Sequence, residues 1–140
     1  MLKIKGKDAF DTRNGLKTGQ RFAATWVTID SPDPVAADLD ESVVYKQGLG
    51  KGAATFARLE GAYSDEQGRI YFVSTNGGDN RGGQIWRYER NGKEEGTVTL
   101  IFESPSRELL DMPDNICLKP NSDLLFICED SDYLGEGGTS

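Results

Sequence analysis

Histidine is absent from all 140 residues of the chain. Histidine-ligated zinc and the Ser-His-Asp and Cys-His mechanisms therefore cannot be built from its residues. Cysteine is scarce, with only Cys117 and Cys128, and two such residues do not decide between a disulfide and free thiols. Both lie near predicted strands, and we expect buried free thiols because unpaired cysteine commonly packs in apolar surroundings.

Long apolar runs and an excess of positive charge are also missing. No stretch approaches the length of a membrane span, and no signal-peptide core follows the basic residues 1–7. The 23 acidic residues outnumber the 16 basic ones and leave a net charge of −7. This charge disfavours nucleic acid and anionic membranes, so we expect neither as a partner. An arginine or a metal ion can still invert the local field for a phosphate, and clustered carboxylates favour Ca²⁺.

The first half of the chain predicts strands separated by turns within a single domain over residues 1–140. Residues 22–29 are rich in β-forming side chains and end at two prolines. Residues 35–45 fit either a short helix or a loop. Three glycines in residues 48–52 predict a flexible stretch before the next apolar segment.

The middle of the chain predicts an all-β fold built from antiparallel meander sheets. Three strands, over residues 69–75, 83–89 and 97–103, are separated by the glycine turns 76–78 and 91–92. Alternation in the third strand places Val98, Leu100 and Phe102 on one side. This meander is the core of a β-propeller blade, although the same periodicity fits any antiparallel sheet.

The last third of the chain predicts a helical turn at residues 106–110 and a hairpin with strands at 116–118 and 124–128. This hairpin resembles the start of a second blade. The glycine-rich residues 135–140 follow where more blade is expected, which predicts an unpaired sheet edge. We therefore expect either a partial chain or a partner, such as a second copy, that covers this edge.

Candidate functional residues come from three segments. In a strand, Arg58 and Glu60 would share one face, although a simple ion pair explains the same pattern. Asp114 and Asn115 offer oxygen ligands after Pro113, and both residue types are also common in turns.

The third segment follows an apolar strand. Glu129 and Asp130 lie there, and the spacing of Asp130, Asp132 and Gly135 half-matches an EF-hand loop. Leu134 stands where an oxygen ligand is needed, so we reject the EF-hand.

Taken in order, seven sequence blocks resemble the C-terminal half of PhoX-like alkaline phosphatases, and they span roughly residues 21–132. Several blocks in one order are far more specific than any single motif. The blocks are WVTIDSPDP at 26–34, GAATFARLEG at 52–61, GRIYFVSTNGG at 68–78, GQIWRY at 83–88, LIFESP at 100–105, PDN at 113–115 and CED at 128–130.

The resemblance implies a six-bladed β-propeller with a central site containing Fe³⁺ and Ca²⁺ that hydrolyses phosphate monoesters. It implies that Arg58 holds the substrate phosphate and that Glu60 is a catalytic metal ligand. Asp114 is the next candidate ligand, followed by Asn115, Glu129 and Asp130. A periplasmic or extracellular location is also implied by the resemblance.

Parts of the family pattern have no counterpart in this sequence. The upstream metal ligands, the iron-binding cysteine and the twin-arginine export signal are missing, so we expect a partial chain with an incomplete metal site. Two alternatives stay open. One is a non-catalytic propeller module that binds Ca²⁺ or a partner, and the other is a lactonase-like propeller hydrolase with one Ca²⁺.

Overall fold

A six-stranded antiparallel sheet forms the centre of the structure, a computed structural model that describes residues 1–131. The strand order is β1-β2-β6-β5-β4-β3, and a separate hairpin pairs β7 with β8. The strands are β1 Leu2–Ile4, β2 Arg21–Trp26, β3 Leu59–Ser64, β4 Ile70–Ser74, β5 Gln84–Arg90, β6 Glu95–Glu103, β7 Pro113–Leu118 and β8 Leu125–Glu129. The predicted all-β antiparallel class is confirmed, whereas no closed sheet and no six-bladed propeller is seen within residues 1–131.

The predicted meander is present as strands β4, β5 and β6. One detail of its alternation was wrong. Val98 and Leu100 pack in one cluster, but Phe102 packs against the cluster on the other face. The reason is a bulge, because Ile85 pairs with Phe102 while Trp86 pairs with Leu100. Ile101 is the extra residue on β6, and it reverses the direction of the side chain that follows it.

Each face of the large sheet carries its own hydrophobic cluster. On one face the fully buried Trp86 stacks on Phe72 and meets Phe56 edge-on, with ring centroids 6.4 and 5.3 Å apart. At the rim of this face, half-exposed Trp26 donates its indole N–H to the Tyr88 hydroxyl at 3.0 Å. The other face is covered by the β7–β8 hairpin. Its buried residues are Tyr71, Val73, Ile85, Leu110 and Ile116.

The segment between β2 and β3 contains a 3-10 turn, Val35–Asp38, and the helix α1, Val43–Gly50. The predicted flexible stretch at 48–52 was therefore wrong at Gly48 and Gly50, which close the helix. Gly48 is buried against the Met1 side chain, and a Cβ atom at this position would collide with that side chain. No helix within residues 1–131 has the length and apolar character needed to cross a membrane.

The predicted hairpin is confirmed, and residues 106–110 form a turn in which the Leu110 amide donates to the Ser106 carbonyl. The expectation of buried thiols was wrong, because Cys117 and Cys128 are both exposed free cysteines. Ile116 and Ile127 pair on the face turned toward the large sheet. The cysteines occupy the alternate positions, which face outward. Asp132 and the glycine-rich residues 135–140 lie outside the described residues.

Candidate functional site

Arg58 lies at the entrance to β3, in a backbone conformation that is uncommon for residues other than glycine. Its φ is 44°, so it precedes the strand and does not alternate within it as expected. Two residues at the end of β4, Ser74 and Thr75, hold this conformation. The Ser74 hydroxyl donates to the Ala57 carbonyl at 2.7 Å and accepts from the Ala57 amide at 3.1 Å. The Thr75 amide donates to the Arg58 carbonyl at 2.9 Å.

Glu60 lies in a β-bulge immediately after Arg58. Leu59 pairs with Ser74 and Ala62 pairs with Phe72, so two residues of β3 oppose one residue of β4. A bulge redirects the side chains beside it. Here the Glu60 carboxylate lies 3.6 Å from the Arg58 guanidinium, with side chains 40% and 47% exposed. The two residues are therefore brought together as predicted, by a bulge and not by regular alternation.

The second candidate segment lies directly beside the first. A Cβ atom at Gly61 would approach the Asp114 carbonyl oxygen to 2.6 Å and the Asn115 Cα to 2.7 Å. Asp114 occupies a register shift of its own, between Pro113 and Asn115. Two irregular strand positions thus meet, one carrying Glu60 and the other carrying Asp114. The Asp114 carboxylate accepts a hydrogen bond from the side-chain amide of Asn115 at 3.0 Å.

The third candidate segment makes structural contacts with the loop before β7. The Glu129 carboxylate accepts a hydrogen bond from the Asp111 amide at 2.7 Å. The Asp130 amide donates to the Met112 carbonyl at 3.0 Å. Both residues thereby fasten the end of β8 to the entrance of β7, and their ligand roles stay predictions.

Asp111 is a charged residue whose partner the sequence analysis missed. Its side chain is 2% exposed and accepts two hydrogen bonds from the Arg107 guanidinium, at 2.7 and 2.8 Å. These bonds hold the pKa of the Asp111 carboxyl below its usual value, against the opposing effect of burial. The spacing of four residues between opposite charges was a signal that could have predicted the pair.

A pocket of about 530 Å³ opens beside Arg58. Three arginines from different segments line it, namely Arg13, Arg58 and Arg81, together with one carboxylate, Asp79. The remaining lining residues are Asn14, Phe56, Ala57, Asn76 and Gly78. The lining carries three cations and one anion, while the carboxylates of Asp11 and Glu60 lie beside Arg13 and Arg58 outside it. Guanidinium groups in a pocket can bind an anionic ligand through several N–H donors.

The N-terminal loop and the turn after β4 are joined at this pocket. The Gly78 amide donates to the Arg13 carbonyl at 2.7 Å, and the Gly15 amide donates to the Asp79 carboxylate at 2.7 Å. Arg13 also holds Asp11 with two side-chain hydrogen bonds, which lower the pKa of the Asp11 carboxyl. Sequence reasoning identified residues 76–78 only as a turn, because the contacts that build the pocket are distant along the chain.

The acidic side chains do not assemble into a complete metal site within the part of the chain that the structure describes. Residues 1–131 contain no group of three or more Cys, Asp or Glu side chains placed to hold an ion. Glu60 and Asp114 lie on adjoining strands, but the Glu129 carboxylate is already bonded to the Asp111 amide. Residues 1–131 by themselves therefore do not fit a complete iron–calcium centre.

The fold and the site define an antiparallel all-β protein with an arginine-lined pocket next to a strand bulge. The family model for alkaline phosphatase PhoX matches residues 3–139. The chain therefore belongs to the alkaline phosphatase PhoX family, and the expected resemblance is confirmed over nearly the whole sequence. Membership supports a phosphatase-like function in general. No curated protein and no solved structure matches the chain.

Proposed function

We propose that this chain takes part in hydrolysis of phosphate monoesters, with Arg58 holding the substrate phosphate and Glu60 beside it. The observation that carries the proposal is Arg58, which lines the arginine-lined pocket and has the Glu60 carboxylate 3.6 Å from its guanidinium. The family provides the reaction class, and the pocket provides an environment for a phosphate group.

The separation of the pair leaves Arg58 available for a ligand. At 3.6 Å the contact between guanidinium and carboxylate is an ion pair that is too long for a hydrogen bond. The guanidinium therefore keeps donors for the oxygens of a phosphate, which it can bind in a fork geometry. Ser74 and Thr75 fix the main chain at Ala57 and Arg58, so the main chain there requires little ordering when the ligand binds.

Metal dependence is part of the proposal. In it Glu60 and Asp114 are ligands to Ca²⁺ or Fe³⁺, since carboxylates suit hard cations. Asn115, Glu129 and Asp130 are weaker candidates, and Glu129 would have to give up its bond with the Asp111 amide. Because residues 1–131 do not form a complete set, further ligands would have to come from outside the described residues.

The wider architecture is also a proposal. The β4–β5–β6 meander with the adjacent β7–β8 hairpin is compatible with one blade and the start of another in a six-bladed propeller. Strands β3 and β8 are edges of their sheets within residues 1–131. Pairing of such edges with a second copy is the proposed route to an oligomer. A periplasmic or extracellular location follows only from the family.

The test is hydrolysis of p-nitrophenyl phosphate by the chain with Ca²⁺ and iron, before and after chelation. We expect metal-dependent turnover that is lost in Arg58→Gln and Glu60→Gln. The control Glu108→Gln, which removes an exposed carboxylate on the turn after β6, should keep this turnover. Circular dichroism should show that all variants remain folded. Normal turnover in both Arg58→Gln and Glu60→Gln, or a folded protein with no turnover and no phosphate binding, would contradict the proposal.

A further inference from the structure

The pocket beside Arg58 is larger than a phosphate group requires. Its volume of about 530 Å³ lies within the range of roughly 300–1,000 Å³ that small-molecule pockets occupy. Phe56 forms part of the wall, so one surface suits an apolar or aromatic portion of a ligand. The pocket therefore has room for the leaving group of a phosphate ester as well as its phosphate.

The three arginines of the pocket differ in what already neutralises them. Arg13 is bound by both carboxylate oxygens of Asp11, and Arg58 has Glu60 at 3.6 Å. Arg81 is exposed, and its guanidinium has no hydrogen bond or ion pair with any residue of 1–131. The charge most available to a ligand that already contacts Arg58 is therefore that of Arg81.

The main chain presents Arg81 from a fixed position. Its φ is 56°, and its amide donates to the Gly78 carbonyl at 2.9 Å. Gly78 in turn donates its amide to Arg13, and neighbouring Asn80 donates its side-chain amide to the Pro105 carbonyl at 2.6 Å. A left-handed backbone at an arginine is uncommon and persists only where the surroundings determine it.

We propose that Arg81 forms a second anion-binding position in this pocket, which selects phosphate monoesters that carry another anionic group on their leaving group. The inference rests on the proposed function, because it takes Arg58 as the residue that holds the phosphate. Asp79 also lines the pocket and keeps its negative charge, but the Gly15 amide donates to its carboxylate at 2.7 Å and fixes its position. The preferred substrate is thus a phosphate monoester with an additional anionic group on its leaving group and not a neutral-tailed one.

The experiment compares phenyl phosphate with 4-carboxyphenyl phosphate as ligands of the 140-residue chain in calcium buffer, by titration calorimetry. The two probes differ only by the distal carboxylate. We expect the carboxylated probe to bind about tenfold more tightly, the lower limit for one charge-assisted hydrogen bond. Arg81→Gln should remove this difference, because it should weaken the carboxylated probe far more than phenyl phosphate. Arg81→Asn serves as a second variant, because asparagine tolerates a positive φ.

Two further variants separate the inference from the proposed function. Arg21→Gln removes one exposed positive charge on β2, outside the pocket, and should change neither affinity. Arg58→Gln should weaken both probes. The proposed second anion-binding position at Arg81 is overturned if the wild type binds the two probes equally, or if Arg21→Gln removes the affinity difference as Arg81→Gln does. Phosphate binding by Arg58 stands in either case. If Arg58→Gln changes nothing while Arg81→Gln removes the preference, the phosphate role of Arg58 fails instead. If neither probe binds, both proposals fail.

Discussion

Gly61 lies so close to Asp114 that a Cβ atom at position 61 would stand 2.6 Å from the Asp114 carbonyl oxygen. The contact joins β3, which follows Arg58, to β7, which carries the candidate ligands Asp114 and Asn115. A glycine is needed there because of space and not because of φ, which is not in the left-handed region. The close approach of these two main chains holds the hairpin against the edge of the large sheet.

Gly61→Ala should therefore separate β3 from β7 and destabilise the protein. We expect a loss of about 1–3 kcal/mol in the free energy of unfolding, as for other additions to tightly packed positions. Urea denaturation followed by circular dichroism measures the change. Gly92→Ala is the matched control, because a Cβ there meets nothing within 4 Å. Equal stability of the two variants would show that the strands can move apart at no cost.

Ser74→Ala should affect stability and ligand binding together. The fully buried Ser74 hydroxyl is bonded to both the amide and the carbonyl of Ala57. Its loss leaves these main-chain groups without a partner, at a cost of about 1–3 kcal/mol. Because Ala57 precedes Arg58, affinity for phenyl phosphate should also fall.

Ser64→Ala is the control for this prediction, since the exposed Ser64 hydroxyl makes only a 3.4 Å contact with its neighbour Asp65. Calorimetric affinity and the urea midpoint are measured on both variants. Unchanged affinity in a clearly destabilised Ser74→Ala would mean that Arg58 does not depend on this support.

The Arg107–Asp111 pair should make stability depend on acid pH. The pKa of Asp111 is lowered in the folded protein, so the folded state favours the carboxylate. This stabilisation is fully present above the unfolded pKa of about 3.9 and is lost as the pH falls through the lower folded pKa. Urea midpoints recorded from neutral pH down to acid pH should therefore fall less steeply in Asp111→Asn than in the wild type.

Arg107→Ala tests the same pair from its other side. The side chain of Arg107 is 48% exposed, so solvent screens part of its charge. Its removal takes two hydrogen bonds from the buried Asp111 carboxylate and leaves the one from the Ser131 hydroxyl. We expect a loss of about 1–2 kcal/mol at neutral pH. A pH profile that is identical in the wild type and both variants would show that the pair contributes nothing.

Both cysteines should react in the native protein. Cys117 and Cys128 are exposed on the outward side of the hairpin, so a thiol reagent such as 5,5′-dithiobis(2-nitrobenzoic acid) should titrate both without denaturant. The number of thiols that react in denaturant provides the control. Thiols that react only after unfolding would indicate that this face of the hairpin is covered, for example by a second copy of the chain.

The regular parts of the fold were predictable from period-two patterns and glycine turns. Strands β4, β5 and β6 and the β7–β8 hairpin all followed from local residues. The bulges were not predictable, because one inserted residue leaves the composition unchanged while it reverses the side chain of Phe102 and redirects Glu60. A short helix was one of two alternatives for residues 35–45, and its continuation to Gly50 was missed because glycines reduce helix propensity, whereas packing of Gly48 under Met1 compensates.

The candidate site was predictable only in its local part. Arg58 and Glu60 are two positions apart, so any extended chain keeps them near each other. The arginine-lined pocket depends on contacts between the N-terminal loop and the turn after β4, such as the bond from Gly78 to Arg13. Neither Arg13 nor Arg81 lies in a pattern that indicates such a contact. Tertiary structure alone brings these cations together.

The two tryptophans occupy opposite environments, with Trp86 fully buried among aromatic rings and Trp26 half-exposed at the rim beside Tyr88. The chain therefore contains two intrinsic fluorophores with separable signals. Emission from Trp86 should lie at shorter wavelength and resist acrylamide quenching until the sheet unfolds. Emission from Trp26 should be quenched by acrylamide in the folded protein and should change when a ligand or a partner covers the rim. Emission spectra with and without acrylamide can thus distinguish global unfolding from local occlusion without an attached fluorescent label.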